Sequence, residues 1–180
     1  MSNVNNPHGF RPLMRSLSGG PGAAALQVYK MSSYGTALFI GDPVCKVTSG
    51  TPLAFPSVSA AITPGTTPVL GVNLQYGAAN AQTVHLIIPV DNQIFECQAN
   101  GTANITSAML TENANMASGA GSTLTQLSGW VLDSNTVATT NTLDLHILGL
   151  FQSAVNALGQ YARLEVIFNN SASRPQVAGV

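Results

Sequence analysis

The clearest pattern in the chain is alternation near its end. In "ARLEVIFNN" (162–170), Leu164, Val166 and Phe168 fall on one side, and Arg163, Glu165 and Ile167 on the other. In "TLDLHILGLF" (142–151), Leu143, Leu145 and Ile147 oppose Asp144 and His146. A repeat of two marks a strand with one face in a core. "TVHLIIPVDNQIFECQA" (83–99) reads as two strands around "PVDN", with Ile94, Glu96 and Gln98 facing away from Phe95, Cys97 and Ala99. Shorter extended pieces precede it: "ALQVYKMSS", "TALFIGDPVCKV" around a "GDP" turn, "GTPLAFPSV" and "ITPGTTPVLGVNLQYG". Short strands at close spacing, separated by Gly, Pro, Asn and Asp, predict an all-β fold: a single β-sandwich or barrel, with a jelly roll among the options.

Three segments break the pattern. Residues 102–129 predict a long polar loop or a short helix over "TSAMLTENANM", with Ser107 as its N-cap. "QSAVNALG" (152–159) reads as a turn between the last two strands. The other segment is "NNPHGFRPLMRSLSGGPG" (5–22), which holds three prolines and four glycines. Pro7, Pro12 and Pro21 fix dihedrals and remove donors, and "SGGPG" is a flexible break. The organisation expected is therefore an extended N-terminal arm over 1–22 and a β-rich domain over 23–180. Such an arm orders only against something else, with Phe10, Leu13, Met14 and Leu17 as its anchors.

Composition sharpens this picture. Of 180 residues, 45% are apolar, enough for a core, but only 7% are charged, against roughly 25% in ordinary globular chains. With so few charges, much of the surface is expected to meet protein rather than water. The competing picture is a monomer coated in Ser, Thr, Asn and Gln. The charges are also uneven. Arg11, Arg15, Lys30 and Lys46 against Asp42 give residues 1–46 a net +3, while residues 47–180 carry −4. A basic arm on an acidic body points to a partner with negative patches. Four spread cations are too few for nucleic acid. No signal-peptide core and no apolar run of about 18 residues is present, so neither secretion nor a membrane helix is expected.

The chemistry-bearing residues form no catalytic constellation. His85 and His146 sit inside strand patterns, where a packed strand histidine is the usual outcome. Asp144 could orient His146 from the same face, yet an Asp-His pair on a sheet explains the spacing equally well. Asp144 and Glu165 could oppose each other as glycosidase carboxylates, but few aromatics accompany them. The acidic residues are too scattered for a metal site. Cys45 and Cys97 lie in apparent strands and read as buried thiols, with a disulfide left open. No enzyme activity, cofactor or metal is expected. The arm is the functional candidate: Arg11 and Arg15 would pair with acidic groups while Phe10 and Leu13 fill shallow pockets, flanked by Pro7 and His8.

"NPHGFRPL" followed by "SGGPG", then "YGTALFIGDPV", "GVNLQYG" and a β-rich close ending in "FNN" resembles small virion structural proteins of tailed bacteriophages. "GDPV" followed by "VLGVNLQYGA" is similar to the hairpin rhythm of capsid decoration proteins. The resemblance implies a decoration, or cement, protein. Its partner would be the major capsid protein, bound from outside at subunit junctions. It implies a homo-oligomer, with a trimer favoured over a dimer, and a place on the virion after synthesis in the bacterial cytoplasm. It implies no cofactor, no nucleic acid and no membrane. Two other roles compete: a head-completion or tail subunit, and a carbohydrate-binding host-attachment module.

Overall fold

The computed structural model describes residues 3–16, 27–31, 36–46, 57–59, 61–80 and 84–172. The fold is all-β, as the alternation predicts. Strands between residues 27 and 89 build a closed barrel, and the first strand joins strands of the second half in an antiparallel sheet.

The sheet contains β1 (Arg11–Ser16), β7 (Gln93–Gln98), β8 (Asn113–Ala114), β11 (Leu145–Leu150) and β12 (Arg163–Phe168). The spatial order is β1-β7-β12-β11-β8, antiparallel throughout. β12 is the strand that its pattern describes. Leu164, Val166 and Phe168 are fully buried, and Arg163, Glu165 and Ile167 are half-buried on the other face. β7 is different, because all six of its residues are buried. Phe95 and Cys97 face the core. Glu96 and Gln98 lie on the outer face, and the N-terminal residues cover them.

The barrel runs β2 (Gln27–Met31), β4 (Ser57–Ser59), β3 (Pro43–Lys46), β5 (Gly71–Asn73), β6 (Val84–Pro89) and back to β2. β2 and β4 pair in parallel, and the other pairs are antiparallel. Closure removes exposed strand edges. A small cluster of Leu38, Val44, Val58 and Ile87 fills the barrel. Val69, Val72, Ile88 and Val90 instead join the core of the sheet, so β5 and β6 serve both halves. At the centre of that core, Phe168 packs against Phe10 at 4.8 Å and against Phe95 edge-on at 5.3 Å. Such tilted pairs suit the ring quadrupole. A two-stranded piece, β9 (Met116–Ala117) with β10 (Val131–Leu132), completes the body.

Of the two alternatives for 102–129, the short helix over "TSAMLTENANM" reduces to one 3-10 turn at Ser107–Met109. Thr106, not Ser107, precedes it, without a side-chain cap. Leu110 is already extended and Thr111 has φ 84°. The good helix formers lose to the pairing of the next residues, Asn113 and Ala114, with β11.

The arm also differs from its expectation. Its part up to Ser16 orders against the chain's own sheet: β1 pairs with β7, and Phe10 is 1% exposed. Leu17, "SGGPG" and the proposed boundary at Gly22 lie outside the described residues.

Candidate functional site

The N-terminal residues enter the body through a close backbone crossing. Gly9 and Gly41 both have positive φ, 71° and 93°. A Cβ on Gly9 would lie 2.5 Å from the Gly41 carbonyl oxygen, and one on Gly41 would lie 2.6 Å from that of His8. Only glycine fits at both positions. The Phe10 N–H donates to the Gly41 carbonyl at 3.0 Å. "PHGF" and "FIGDP" are therefore two sides of one contact, which aims Phe10 inward. "GDP" adds a second fastening, in which the Phe39 N–H donates to the Asp42 carboxylate three residues on, at 2.7 Å.

Upstream of the crossing, residues 3–8 form a strap over the outer face of β7. The Gln98 side chain holds it by accepting from the Asn6 N–H at 2.9 Å and donating to the Val4 carbonyl at 2.8 Å. Asn3 fastens the far end to the loop between β11 and β12, donating to the Ala157 and Gln160 carbonyls and accepting from the Ala157 N–H. Downstream, β1 carries an irregularity between Pro12 and Ser16. Gln93 bridges it, donating to the Leu13 carbonyl at 2.6 Å.

Strap, crossing and sheet enclose an open groove of about 890 Å³. Its polar wall has His8, Arg11, Glu96 and Arg163, and its apolar wall has Ile40, Leu74, Leu127 and Val155. Glu96 is buried at the base of this wall and forms an ion pair with Arg163 Nε. His8 Nε2 stands 3.5 Å from the same carboxylate, at ion-pair range but without a formed hydrogen bond. Burial works to raise the Glu96 carboxyl, but attraction to His8 and Arg163 outweighs it and holds the group at about 2. Arg163 also stacks over the Phe151 ring at 4.7 Å. Arg11 is exposed and makes no ion pair among the described residues.

The predicted binding set is thus divided by the fold. His8 and Arg11 line the groove together. Pro7 is exposed on the strap, and Leu13 is half-buried in β1. Arg15 is exposed but tied to Glu165 across the sheet. Phe10 is a core residue rather than an anchor for a shallow partner pocket. Sequence reasoning missed Arg163, Glu96 and Gln98. Their outward position on β7 and β12 was legible, but the strap that turns this face into a groove wall was not.

The other candidates resolve into internal structure. Among the described residues Asp144 makes no hydrogen bond or ion pair with His146. It is buried and accepts from the Gly65 and Met116 N–H groups and from Asn170. Burial raises its carboxyl and these donors oppose the shift. His146 Nδ1 meets Asn113 at 2.8 Å, and buried His85 meets Asn73 at 2.9 Å. Burial lowers both imidazoles. Glu165, the other carboxylate of the glycosidase option, is taken by Arg15. Cys45 and Cys97 are both free and buried, one in the barrel and one in the sheet. Trp130, the sole tryptophan, belongs to the core. Among the described residues no group of three His, Cys, Asp or Glu side chains could hold a metal ion. No protein-family model, curated protein or solved structure matches the chain.

Proposed function

We propose that the protein is a virion structural subunit that docks on the outside of a major capsid protein shell and cements it. Its action on this reading is mass action: a molecule that binds only the assembled shell stabilises that state, and many copies add their contributions. The subunit works as a homo-oligomer, of which a trimer suits the junctions of an icosahedral lattice.

The observation that carries the reading is how the fold distributes charge. Asp42, Glu96 and Asp144 are buried, and Asp91, Glu112, Asp133 and Glu165 are half-buried. The exposed charged residues among those described are Arg11, Arg15 and Lys46. The other charges at the surface are only partly exposed, and exposed Val4, Met14, Val84, Leu124 and Val155 lie among neutral residues. A charge-poor, partly apolar surface whose fully exposed charges are cations suits a lasting contact with a mildly acidic protein better than a free life in solvent.

The test mixes the purified protein with expanded capsid shells that lack it. Bound copies are counted by sedimentation and by density maps, and the temperature of shell disruption is recorded. Saturation at hundreds of copies with a raised disruption temperature is expected. Saturation at six or twelve copies would replace cement with a connector role, and absence of binding would remove the virion reading.

A further inference from the structure

We propose that the groove between the strap and the sheet is the docking site for an extended acidic segment of the shell subunit. This rests on the cement reading for the identity of the partner, but the chemistry of the groove stands by itself.

The two walls ask for different things. Arg11 offers a guanidinium with no ion pair among the described residues. Arg163 uses Nε on Glu96 and makes no other hydrogen bond through its guanidinium among the described residues. Since Glu96 is already matched by Arg163, the net charge facing an occupant is positive. Carboxylates suit such donors, and a guanidinium fork can take one in bidentate fashion.

His8 is turned away from the occupant. Its Nδ1 lies 3.2 Å from the Asn6 carbonyl, and its Nε2 stands 3.5 Å from the Glu96 carboxylate, so it holds the strap on the sheet beside the two guanidinium groups. In the same groove, Ile40, Leu74, Leu127 and Val155 offer only apolar contact. An extended peptide that carries both acidic and aliphatic side chains satisfies the guanidinium groups and the apolar lining together. A bare inorganic anion would use the guanidinium groups alone. Nucleic acid fits worse, because the aliphatic wall gives bases nothing to stack on.

The test uses full-length protein and a fluorescent synthetic peptide of alternating Glu and Leu. Its Lys-Leu counterpart, inorganic phosphate and a single-stranded oligonucleotide serve as comparisons. Two variants change exposed positions only: Arg11→Glu reverses a groove cation, and Val155→Asp puts an anion on the apolar wall. Circular dichroism melts check that both fold. The Glu-Leu peptide should bind saturably, and each variant should weaken it by about tenfold or more, the scale of one charge-assisted contact. Equal binding of the Lys-Leu peptide, binding of oligonucleotide or phosphate alone, or unchanged affinity in both folded variants would overturn the proposal. Shell decoration separates the two readings. If wild type and both variants decorate shells equally, the groove is not the docking site while the cement function holds. If the peptide binds as expected but wild type leaves shells bare, the groove stands and the cement function falls.

Discussion

Individual residues differ sharply in what they contribute, and Phe10 and Glu96 mark the extremes. Phe10 is an apolar plug behind a glycine crossing. Phe10→Ala should cost about 3–5 kcal/mol, as for other buried aromatics, read as a lowered urea midpoint. Glu96 is a polar bolt whose worth depends on pH. Its carboxyl sits at about 2 in the fold against an ordinary 4.5. A depressed carboxyl contributes stability that is present in full above its ordinary value and is lost as pH falls through its folded value. The protein should therefore lose stability between pH of about 4.5 and about 2 through this group. Glu96→Gln should be less stable at neutral pH and should flatten that limb. Asp144 has the opposite sign. Its raised carboxyl contributes most below 3.8 and less as pH rises, so the acid limb in Glu96→Gln should not steepen. Urea titrations across this range for both proteins check the sign. Cys45 and Cys97 complete this scale: burial pushes both thiols up, so alkylation in native buffer should be slow and become complete only with unfolding.

At the scale of elements, the informative contrast is between β12 and β1. β12 could be read residue by residue because one of its faces is apolar and the other polar, which fixes register. β11 could be read almost as well, except that Asp144, placed on its polar face, is fully buried by donors from the 65, 116 and 170 regions of the chain. Those contacts are long-range, and a local pattern does not encode them. β1 was hidden for a different reason. Pro12, Arg11 and Arg15 give "RPLMRS" a poor strand signal, yet a strand at the edge of a sheet tolerates proline and charge. The same residues that suggested a free arm suit an edge strand. The consequence is testable. Deleting residues 1–16 removes Phe10 and a whole strand, and should leave a chain that aggregates or melts far below wild type. Arg15→Ala removes only an exposed ion pair to Glu165, and its melting temperature should stay close to wild type, since such pairs contribute about 0–1 kcal/mol. Melting curves of the two proteins distinguish a structural strand from a dispensable arm.

For the whole molecule, the low charge content and the fold have one explanation. Seven acids are few, and the fold withdraws all of them from full exposure while leaving Arg11, Arg15 and Lys46 outside. The basic arm and the acidic body were legible in the sequence, but not that the acids sit inside or half-inside the body, most of them as ion-pair or hydrogen-bond partners. The all-β class was legible because alternation is local, whereas the division into a barrel and a sheet depends on which strands meet, and β6 and β7, adjacent in sequence, go to different halves. The resulting surface predicts how docking responds to salt. Exposed cations steer association with an acidic partner, and salt screens them over about 10 Å at 0.1 M ionic strength. With so few cations involved, raising salt from about 0.05 to about 0.5 M should slow association with immobilised shells several-fold. Dissociation, set by buried apolar and hydrogen-bonded contacts, should change little. Surface-binding kinetics at several ionic strengths measure both. A dissociation rate that rises steeply with salt while association stays constant would place the working contacts among exposed charges, and would argue against an occupant seated on the apolar wall of the groove.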